Sequence, residues 1–289
     1  MTLPALPDWK ATSPLLHQVV SLIGPIHKAL LPHRDNYLHL PMSVQPEGLV
    51  SQTLPGGGKI HLNLKNGGIR YLRSDGGEVG FSIADHTQRS LFESLLSALA
   101  DDGLGPGLGL DQTDSPVAGL VSKLVSEGTA GASVSLETLT ADDPLAGVQD
   151  SAAAYAEIQY SMFTTLARVR ARLLGAMTPV IVWPEHLDLS TLWFPASNPG
   201  MDDHGSHVSM GFAPFTPGQY EYPYFYAYAY PYPEAFEPPT LPSPAFWHEE
   251  GWRGVVVKYE EMAVQPNPEA FLEGLSLEVF EVLRRVLEN

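Results

Sequence analysis

The sequence predicts an α+β protein made of two related halves, each a long helix, an antiparallel meander and a closing helix. Three observations lead to this prediction: glycine-rich hairpin signals between short alternating segments, amphipathic helices that flank them, and a short motif that occurs in both halves. The halves are predicted as residues 1–101 and 151–289, with a connector over 102–150. One compact domain comprising all three is the alternative.

Helices are expected at both ends of the first half. Residues 13–31 have apolar positions at a period close to 3.6, with Ser13 as the N-cap and a kink or break near Pro25. A second helix is predicted over 86–101, capped by Asp85. Between them we expect a meander because three glycine-rich turns separate the apolar segments. Its predicted strands are 36–45, 48–54, 59–65, 69–73 and 78–83.

The connector is rich in Gly, Asp, Ser and Thr, and one short helix is expected near 116–126. The second half begins with a helix over 151–175, whose apolar residues recur every three or four positions. A last helix is predicted from Pro268 to about 287. The predicted strands of this half are 179–183, 187–194, 206–213, 222–230 and 254–259.

A nine-residue motif suggests that the halves arose by duplication. Residues 41–49 and 179–187 share Pro, Val, Pro, Glu and Leu at identical spacing, and each copy follows a long helix and begins a run of strands. The shared order of elements predicts a pseudo-twofold relation between the halves.

Composition and charge limit the classes of function. With 289 residues, 44% hydrophobic and 17% charged, the chain has enough apolar material for a sizeable core. This acidic protein has a net charge of −17, which repels nucleic-acid phosphates and anionic membranes, so neither is expected as a partner, while cationic or neutral ligands are weakly favoured. The absence of cysteine excludes disulfides, thiol catalysis and thiolate metal sites.

No segment approaches the roughly 18 consecutive apolar residues of a membrane span, and residues 1–10 lack the pattern of a secretory signal. We therefore expect a cytoplasmic protein. The sequence carries no signal of an oligomeric state.

Seven tyrosines occupy every second position from 220 to 232. In an extended strand such residues share one face, and Ala227 and Ala229 leave the other face smooth enough for a helix to approach closely. The tyrosine face is expected either to pack in the core or to line a small-molecule pocket with hydroxyl groups. Prolines at 223, 231 and 233 predict that this strand lies at or near a sheet edge.

Motifs along almost the whole chain resemble those of a widespread, uncharacterised bacterial family of unknown function. Its Leu-His and Asn-aromatic-aromatic-His segments correspond to Leu16-His17 and Asn36 to His39. The later correspondences are an Arg-bearing helix, Pro179-Val180 with Trp183, Ser206-His207, Gly211-Phe212, and an aromatic strand that ends at Tyr230-Pro231. Members often carry Glu after the Ser-His pair, where this chain has Val208. The resemblance implies a shared fold and no known activity.

His39 and His207 are the candidate acid–base or catalytic residues. His39 is predicted on a strand beside Tyr37, as a general base or metal ligand, or else as a core-edge histidine bonded to backbone. His207 enters a predicted strand from a polar loop. His186 and Asp188 flank Leu187 at strand spacing and are therefore expected to share a face.

Asp203, His204 and His207 are the candidate metal ligands, since carboxylate and imidazole suit zinc, iron or manganese. A solvated loop is the alternative. The sequence requires no cofactor, and a divalent metal is the one cofactor it suggests.

The leading functional hypothesis is that the protein binds or transforms a small organic molecule in a pocket between the halves. Its predicted ligand-binding residues are Tyr37, Trp183, Tyr226 and Tyr228. The alternatives are a non-catalytic scaffold or protein-interaction module with an exposed aromatic surface, and a His/Asp-ligated metal-dependent enzyme. The sequence identifies neither the ligand nor a reaction.

Overall fold

The computed structural model describes residues 3–113, 115–131, 134–232 and 236–288, and it confirms the α+β class: helices accompany two antiparallel sheets. The duplication stays a prediction. The helices are α1 (Trp9–Ser21), α2 (Ile23–Leu30), α3 (Gln88–Asp101), α4 (Gly105–Leu108), α5 (Pro116–Ser126), α6 (Leu136–Leu139), α7 (Gln149–Arg170), α8 (Tyr259–Ala263) and α9 (Pro268–Glu288). Short 3-10 turns occur at Pro55–Gly57, Ile83–Asp85 and Leu110–Gln112.

The strands of the first sheet are β1 (Ser43–Gln45), β2 (Gly48–Val50), β3 (Lys59–Asn63), β4 (Gly68–Leu72) and β5 (Glu78–Ser82). Those of the second sheet are β6 (Ala176–Met177), β7 (Ile181–Trp183), β8 (Asp188–Phe194), β9 (His207–Ala213), β10 (Tyr224–Tyr230), β11 (Phe246–His248) and β12 (Gly254–Lys258). Strands β6 and β11, which are two and three residues long, are not among the predicted strands.

The chain divides into two compact units. Unit 1 contains Met1–Ala5, Ile158–Val182 and Asp188–Asn289, and unit 2 contains Leu6–Glu157 and Trp183–Leu187. The sequence-based boundaries at residues 101 and 150 stay a prediction.

Unit 2 contains the five-stranded meander, in which β1 to β5 pair in sequence order and antiparallel. The glycine-rich segments turn the chain as predicted: Gly67 and Gly76 have φ values of 66° and 87°, which favour glycine. The first strand begins at Ser43 rather than at residue 36. Residues 35–40 instead form turns, in which the Leu40 N–H donates to the Tyr37 carbonyl and Tyr37 has a φ of 54°.

The predicted helix over 13–31 is two helices. It begins at Trp9, so Pro14 lies inside α1 rather than at its start. The expected break falls at Leu22, and Pro25 occupies the first turn of α2, where a missing N–H costs little. Trp9 stacks on Tyr155 at a ring-centroid distance of 4.6 Å, and both are fully buried.

Helix α3 begins with a capping box made by Thr87 and Ser90, not with the predicted Asp85 cap. Thr87 Oγ1 accepts from the Ser90 N–H at 3.2 Å, and the Ser90 hydroxyl accepts from the Thr87 N–H at 3.0 Å. Asp85 instead ends a 3-10 turn. The predicted connector contains α4, α5 and α6, and α5 has the predicted bounds.

Unit 1 is organised around the second sheet. Its strands follow the order β11-β12-β10-β9-β8-β6, and β7 pairs with β8. One face carries Phe225, Ala227 and Ala229, and α9 packs against it: Phe280 of α9 meets Trp193 edge-on at 5.4 Å, and Trp193 pairs with Val208 in the same layer. The bare alanine face therefore receives a helix, as predicted.

The edge position predicted for the tyrosine strand is wrong. Strand β10 lies between β9 and β12, paired with β9 over residues 224–230 and with β12 over 224–227. Pro223 and Pro231 lie just outside its two ends, so they remove no donor from the ladder. Pro233 lies outside the described residues.

Helices α7 and α9 are joined on the surface of unit 1 by an ion-pair network. Glu273 accepts from Arg168 and Arg172, each at 3.0 Å, and Glu269 accepts from the Ser161 hydroxyl at 2.8 Å. In the described part of the chain, no helix is both long and apolar enough to cross a membrane.

Candidate functional site

The side chains of β10 build an aromatic surface on the sheet face opposite α9. The alternate residues of this strand that point onto this face are Tyr224, Tyr226, Tyr228 and Tyr230. The ring centroids of Tyr224 and Tyr226 are 6.2 Å apart, and those of Tyr226 and Tyr228 are 6.0 Å apart. We call these four residues, with His207 and Trp252, the tyrosine face. Tyr226 and Tyr228 therefore share a face, as the alternation predicts.

Gly211 makes room for Tyr226 on this face. In the register of β9 and β10, Gly211 lies opposite Tyr226, and a Cβ added to it would lie 2.5 Å from the phenol Cζ and hydroxyl oxygen. The ring therefore lies across β9, and its hydroxyl donates a 2.6 Å hydrogen bond to Asp188 Oδ2 at the start of β8. A side chain at position 211 would block this path.

The Tyr226 hydroxyl is held in its protonated form. Burial raises its pKa well above the usual value, and the negative charge of Asp188 raises it further. Burial likewise raises the pKa of Tyr228, with the charges of Asp188 and Asp203 adding to the effect and a hydrogen bond to Ser209 opposing it. These hydroxyls are hydrogen-bond donors and not anions at neutral pH.

Trp252 stands at the β12 side of the tyrosine face. Its ring meets Tyr226 at 82° and Tyr228 at 68°, with centroid distances of 6.5 and 6.1 Å. Gly254 permits this arrangement, because an added Cβ would lie 2.7 Å from the indole ring. The indole N–H donates to Gln219 Oε1 at 3.1 Å, which fixes the ring.

A hydrogen-bonded pair lies beside Trp252. The ring of His248 is 4.5 Å from that of Trp252, its Nε2 bonds the Glu250 carbonyl at 2.8 Å, and its Nδ1 lies 2.7 Å from the Tyr220 hydroxyl. Since a carbonyl only accepts, Nε2 carries the proton and Nδ1 accepts from Tyr220. Tyr220 also packs on Tyr224 at 4.4 Å.

His207 is the first residue of β9 and lies opposite Tyr230, at one end of the tyrosine face. Its ring stacks on Tyr230 at 5.4 Å and meets Tyr228 edge-on at 5.9 Å. Nδ1 donates to the Gly205 carbonyl at 2.9 Å, so Nε2 is the acceptor of the neutral imidazole. Burial lowers the pKa of His207, opposed by that hydrogen bond and by the charges of Asp203 and Asp202. His207 therefore combines an uncharged ring with a basic Nε2 at neutral pH.

The other predicted metal ligands lie in the loop before β9. The His204 N–H donates to Asp202 Oδ1 at 2.9 Å, and the Asn198 amide bonds the carbonyls of Asp202 and Ser206. Among the residues that the structure describes, no three His, Asp or Glu side chains form a group that could hold a metal ion. Asp203, His204 and His207 are not gathered into such a group.

The remaining predicted site residues, His39, Tyr37 and Trp183, belong to unit 2. His39 lies in a turn and not on the predicted strand; its ring is 5.1 Å from His33 and 6.3 Å from Tyr37. Burial lowers the pKa of His39, and the positive charges of His33, Arg34 and Lys28 lower it further. Trp183 ends β7, and its carbonyl accepts from the Leu187 N–H in the turn that follows.

Unit 2 also contains polar contacts that the sequence did not predict. Glu185 forms an ion pair with Lys28, and its carbonyl accepts from His17 Nε2 at 2.6 Å. Fully buried His27 donates through Nδ1 to the Leu40 carbonyl at 2.6 Å. These contacts fix the turns that carry His39 and Glu185.

Asp188, which accepts from the Tyr226 hydroxyl, does not have the neighbour that the sequence predicts for it. The expected common face with His186 is wrong, because Leu187 has a φ of 55° and ends the turn before β8, so the alternation is interrupted. The sequence does carry one signal for the contact between Tyr226 and Asp188, and that signal is Gly211. An isolated glycine inside a strand marks a close approach by another group.

Comparison with known proteins identifies a family. A family model described as "Family of unknown function (DUF5996)" matches residues 2–114 and 148–282. No curated protein matches the chain, and no solved structure matches it.

Proposed function

The chain belongs to the DUF5996 family of unknown function, and from that premise we propose that it binds a small organic molecule on the tyrosine face of unit 1. The observation that carries the proposal is the convergence of aromatic rings with a few fixed polar groups. Tyr226, Tyr228 and Trp252 supply apolar surface, and Asp188 and the His207 ring supply polarity. Small-molecule sites have this composition.

The accessible part of the tyrosine face lies at one end of β10. Tyr224 and Tyr226 are buried, Tyr228 and Trp252 are half-buried, and Tyr230 is 46% exposed. A ligand would therefore contact Tyr228, Tyr230 and Trp252 first, with Tyr226 and His207 behind them. Glycines at 211 and 254 allow this arrangement, because each lets an aromatic ring approach the backbone of the sheet closely.

If the bound molecule is transformed, His207 is the acid–base residue that the geometry favours. Its Nδ1 is committed to the Gly205 carbonyl, which leaves Nε2 as the atom that would take a proton. The role of general base or metal ligand that the sequence predicts for His39 is a separate proposal, because His39 belongs to unit 2.

The alternative of a protein-interaction module is less well supported. An exposed aromatic docking patch requires accessible rings, whereas Tyr224 and Tyr226 are 6% and 8% exposed. A small ligand needs only the open end of the face.

Ligand-observed NMR with a library of small organic molecules tests the proposal. We expect molecules that bind the intact chain to lose most of their signal with Tyr228→Ala and to retain it with Tyr222→Ala. Tyr222 is an exposed tyrosine outside β10 and serves as the matched control. Binding that both variants retain, or a screen without any binder, would contradict the proposed function.

A further inference from the structure

We propose that a row of aromatic rings in unit 1 carries out one-electron redox chemistry, in which a tyrosyl radical rests on Tyr226 and a proton moves to Asp188. The rings that form this aromatic row are those of Tyr220, Tyr224, Tyr226, Tyr228 and Trp252. This chemistry needs no bound ligand, so it is independent of the proposed small-molecule site. Three observations lead to it: the spacing of the rings, the hydrogen bonds of their hydroxyl groups, and the burial of Tyr226.

Each ring of the aromatic row contacts the next. Tyr224 lies 4.4 Å from Tyr220 and 6.2 Å from Tyr226, measured between ring centroids. Tyr226 lies 6.0 Å from Tyr228 and 6.5 Å from Trp252, and the last two are 6.1 Å apart. Electron transfer slows exponentially with distance, because tunnelling depends on the overlap of orbitals. Steps between rings in contact are therefore fast, and a buried ring can lose an electron through its neighbours.

Tyr226 has a proton acceptor in place, which matters because a phenol becomes strongly acidic when it loses an electron. Its hydroxyl donates to Asp188 Oδ2 at 2.6 Å, within reach of direct proton transfer. A soluble one-electron oxidant takes an electron from the Tyr226 ring, and the hydroxyl proton passes along this bond to the carboxylate. The products are a neutral phenoxyl radical, a protonated Asp188 and the reduced oxidant. When a reductant returns the electron, Asp188 returns the proton.

A second tyrosine of the aromatic row is also bonded to a base. The Tyr220 hydroxyl donates to His248 Nδ1 at 2.7 Å, while His248 Nε2 donates to the Glu250 carbonyl at 2.8 Å. Oxidation of Tyr220 gives a phenoxyl radical and an imidazolium that keeps its bond to the carbonyl. By contrast, the Tyr224 hydroxyl lies 2.6 Å from the hydroxyl of Thr216, which is a much weaker base.

Burial makes Tyr226 the position at which a radical persists. Its side chain is 8% exposed, so reductants and other radicals in solution do not reach the ring directly. Tyr228 and Trp252 are half-buried and contact Tyr226, so they are the rings through which a soluble oxidant takes the electron. Tyr220 is also half-buried, which leaves a radical at that position open to reaction.

The composition of the chain removes the competition of thiols for the oxidant. Thiols are readily oxidised, and the chain contains no cysteine. Oxidising equivalents that reach the protein therefore fall on its tyrosine, tryptophan and methionine side chains.

Flash photolysis of the full chain with tris(bipyridine)ruthenium(II) and an irreversible cobalt(III) quencher tests the inference. Light and the quencher produce ruthenium(III), a one-electron oxidant, and the optical absorption and EPR spectrum of the radical follow its decay. We expect a tyrosyl signal with a long-lived component in the unsubstituted chain. Tyr226→Phe should lose most of that component. Tyr222→Phe should retain it, because Tyr222 is an exposed tyrosine outside the aromatic row.

Asp188→Asn tests the proton transfer separately, and circular dichroism checks that both variants are folded. The amide oxygen can still accept the bond from Tyr226 but cannot take its proton, so the long-lived component should decay faster in this variant. The same long-lived signal in Tyr226→Phe, or a long-lived radical with a tryptophan spectrum, would overturn Tyr226 as the resting position. Decay that Asp188→Asn leaves unchanged would overturn the proton transfer, and this outcome remains available if Tyr226→Phe does not fold.

Discussion

The Tyr226 hydroxyl donates a 2.6 Å hydrogen bond to Asp188, two strands away in the second sheet. The bond is possible because Gly211, in the strand between them, has no side chain that would obstruct the phenol ring. It joins the aromatic residues of β10 to a carboxylate on β8 and so gives the tyrosine face its polar end.

Adding a methyl group at position 211 should disrupt this arrangement. We expect Gly211→Ala to lower the free energy of unfolding by about 1–3 kcal/mol, because its Cβ would lie 2.5 Å from both the Tyr226 hydroxyl oxygen and the Leu189 carbonyl oxygen. Urea denaturation measures the change.

Gly274→Ala is the matched control for that substitution. Gly274 lies on the exposed side of α9, with nothing within 4 Å of an added Cβ, and alanine should stabilise the helix by about 0.5–1 kcal/mol. Equal effects of the two substitutions would show that position 211 has no special steric role.

Removing only the Tyr226 hydroxyl tests the hydrogen bond itself. Tyr226→Phe should lower the free energy of unfolding by about 1–3 kcal/mol, since a buried bond to a charged acceptor is lost. Tyr230→Phe, at a 46% exposed ring on the same strand, should change it by less than about 0.5 kcal/mol. Thermal and urea unfolding of both variants decide the point, and a neutral Tyr226→Phe would contradict it.

The buried His27 should make unit 2 sensitive to acid. Burial lowers the pKa of His27 to about 4, with the hydrogen bond to Leu40 opposing the shift and the charge of His39 adding to it. Between about pH 6.5 and 4 the unfolded chain binds a proton that the folded chain does not, so stability falls as pH falls. His27 alone should account for about 3 kcal/mol of this loss, which levels off below pH 4.

Urea unfolding between pH 7.5 and 4.5 measures the His27 contribution. The His27→Gln variant should lose less stability over this interval than the unsubstituted chain, whatever its stability at pH 7.5. His33→Gln is the control, because the His33 side chain is 60% exposed. If His27→Gln has the same pH slope as the unsubstituted chain, buried His27 is not the acid-sensitive group.

The capping box of α3 predicts that substitutions at Thr87 and Asp85 differ in their effect on stability. Thr87→Ala removes an acceptor for the Ser90 N–H and should cost about 1 kcal/mol of unfolding free energy. Asp85→Ala should cost less than about 0.5 kcal/mol, because Asp85 is exposed and lies before the cap. Chemical denaturation that ranks the two in the opposite order would contradict the observed cap.

Elements whose signals are local could be predicted from the sequence. The glycine turns of the meander and the ends of α5 agree with the structure because nearby residues determine them. His39 and the α3 cap show the limit of such signals. Residues 35–40 have strand-like side chains, yet the left-handed Tyr37 turns the chain, and Thr87 caps α3 in place of an equally suitable Asp85.

The sequence by itself determined that the tyrosines of β10 share one face and that Ala227 and Ala229 leave the other open to a helix. Alternation in a strand is a property of the backbone and needs no partner. Only the tertiary structure decided that β10 lies inside the sheet and that Gly211 lies opposite Tyr226. It also decided that Asp188 accepts the hydrogen bond from the Tyr226 hydroxyl. Strand order and register depend on pairing between residues far apart in the chain, which no local pattern encodes.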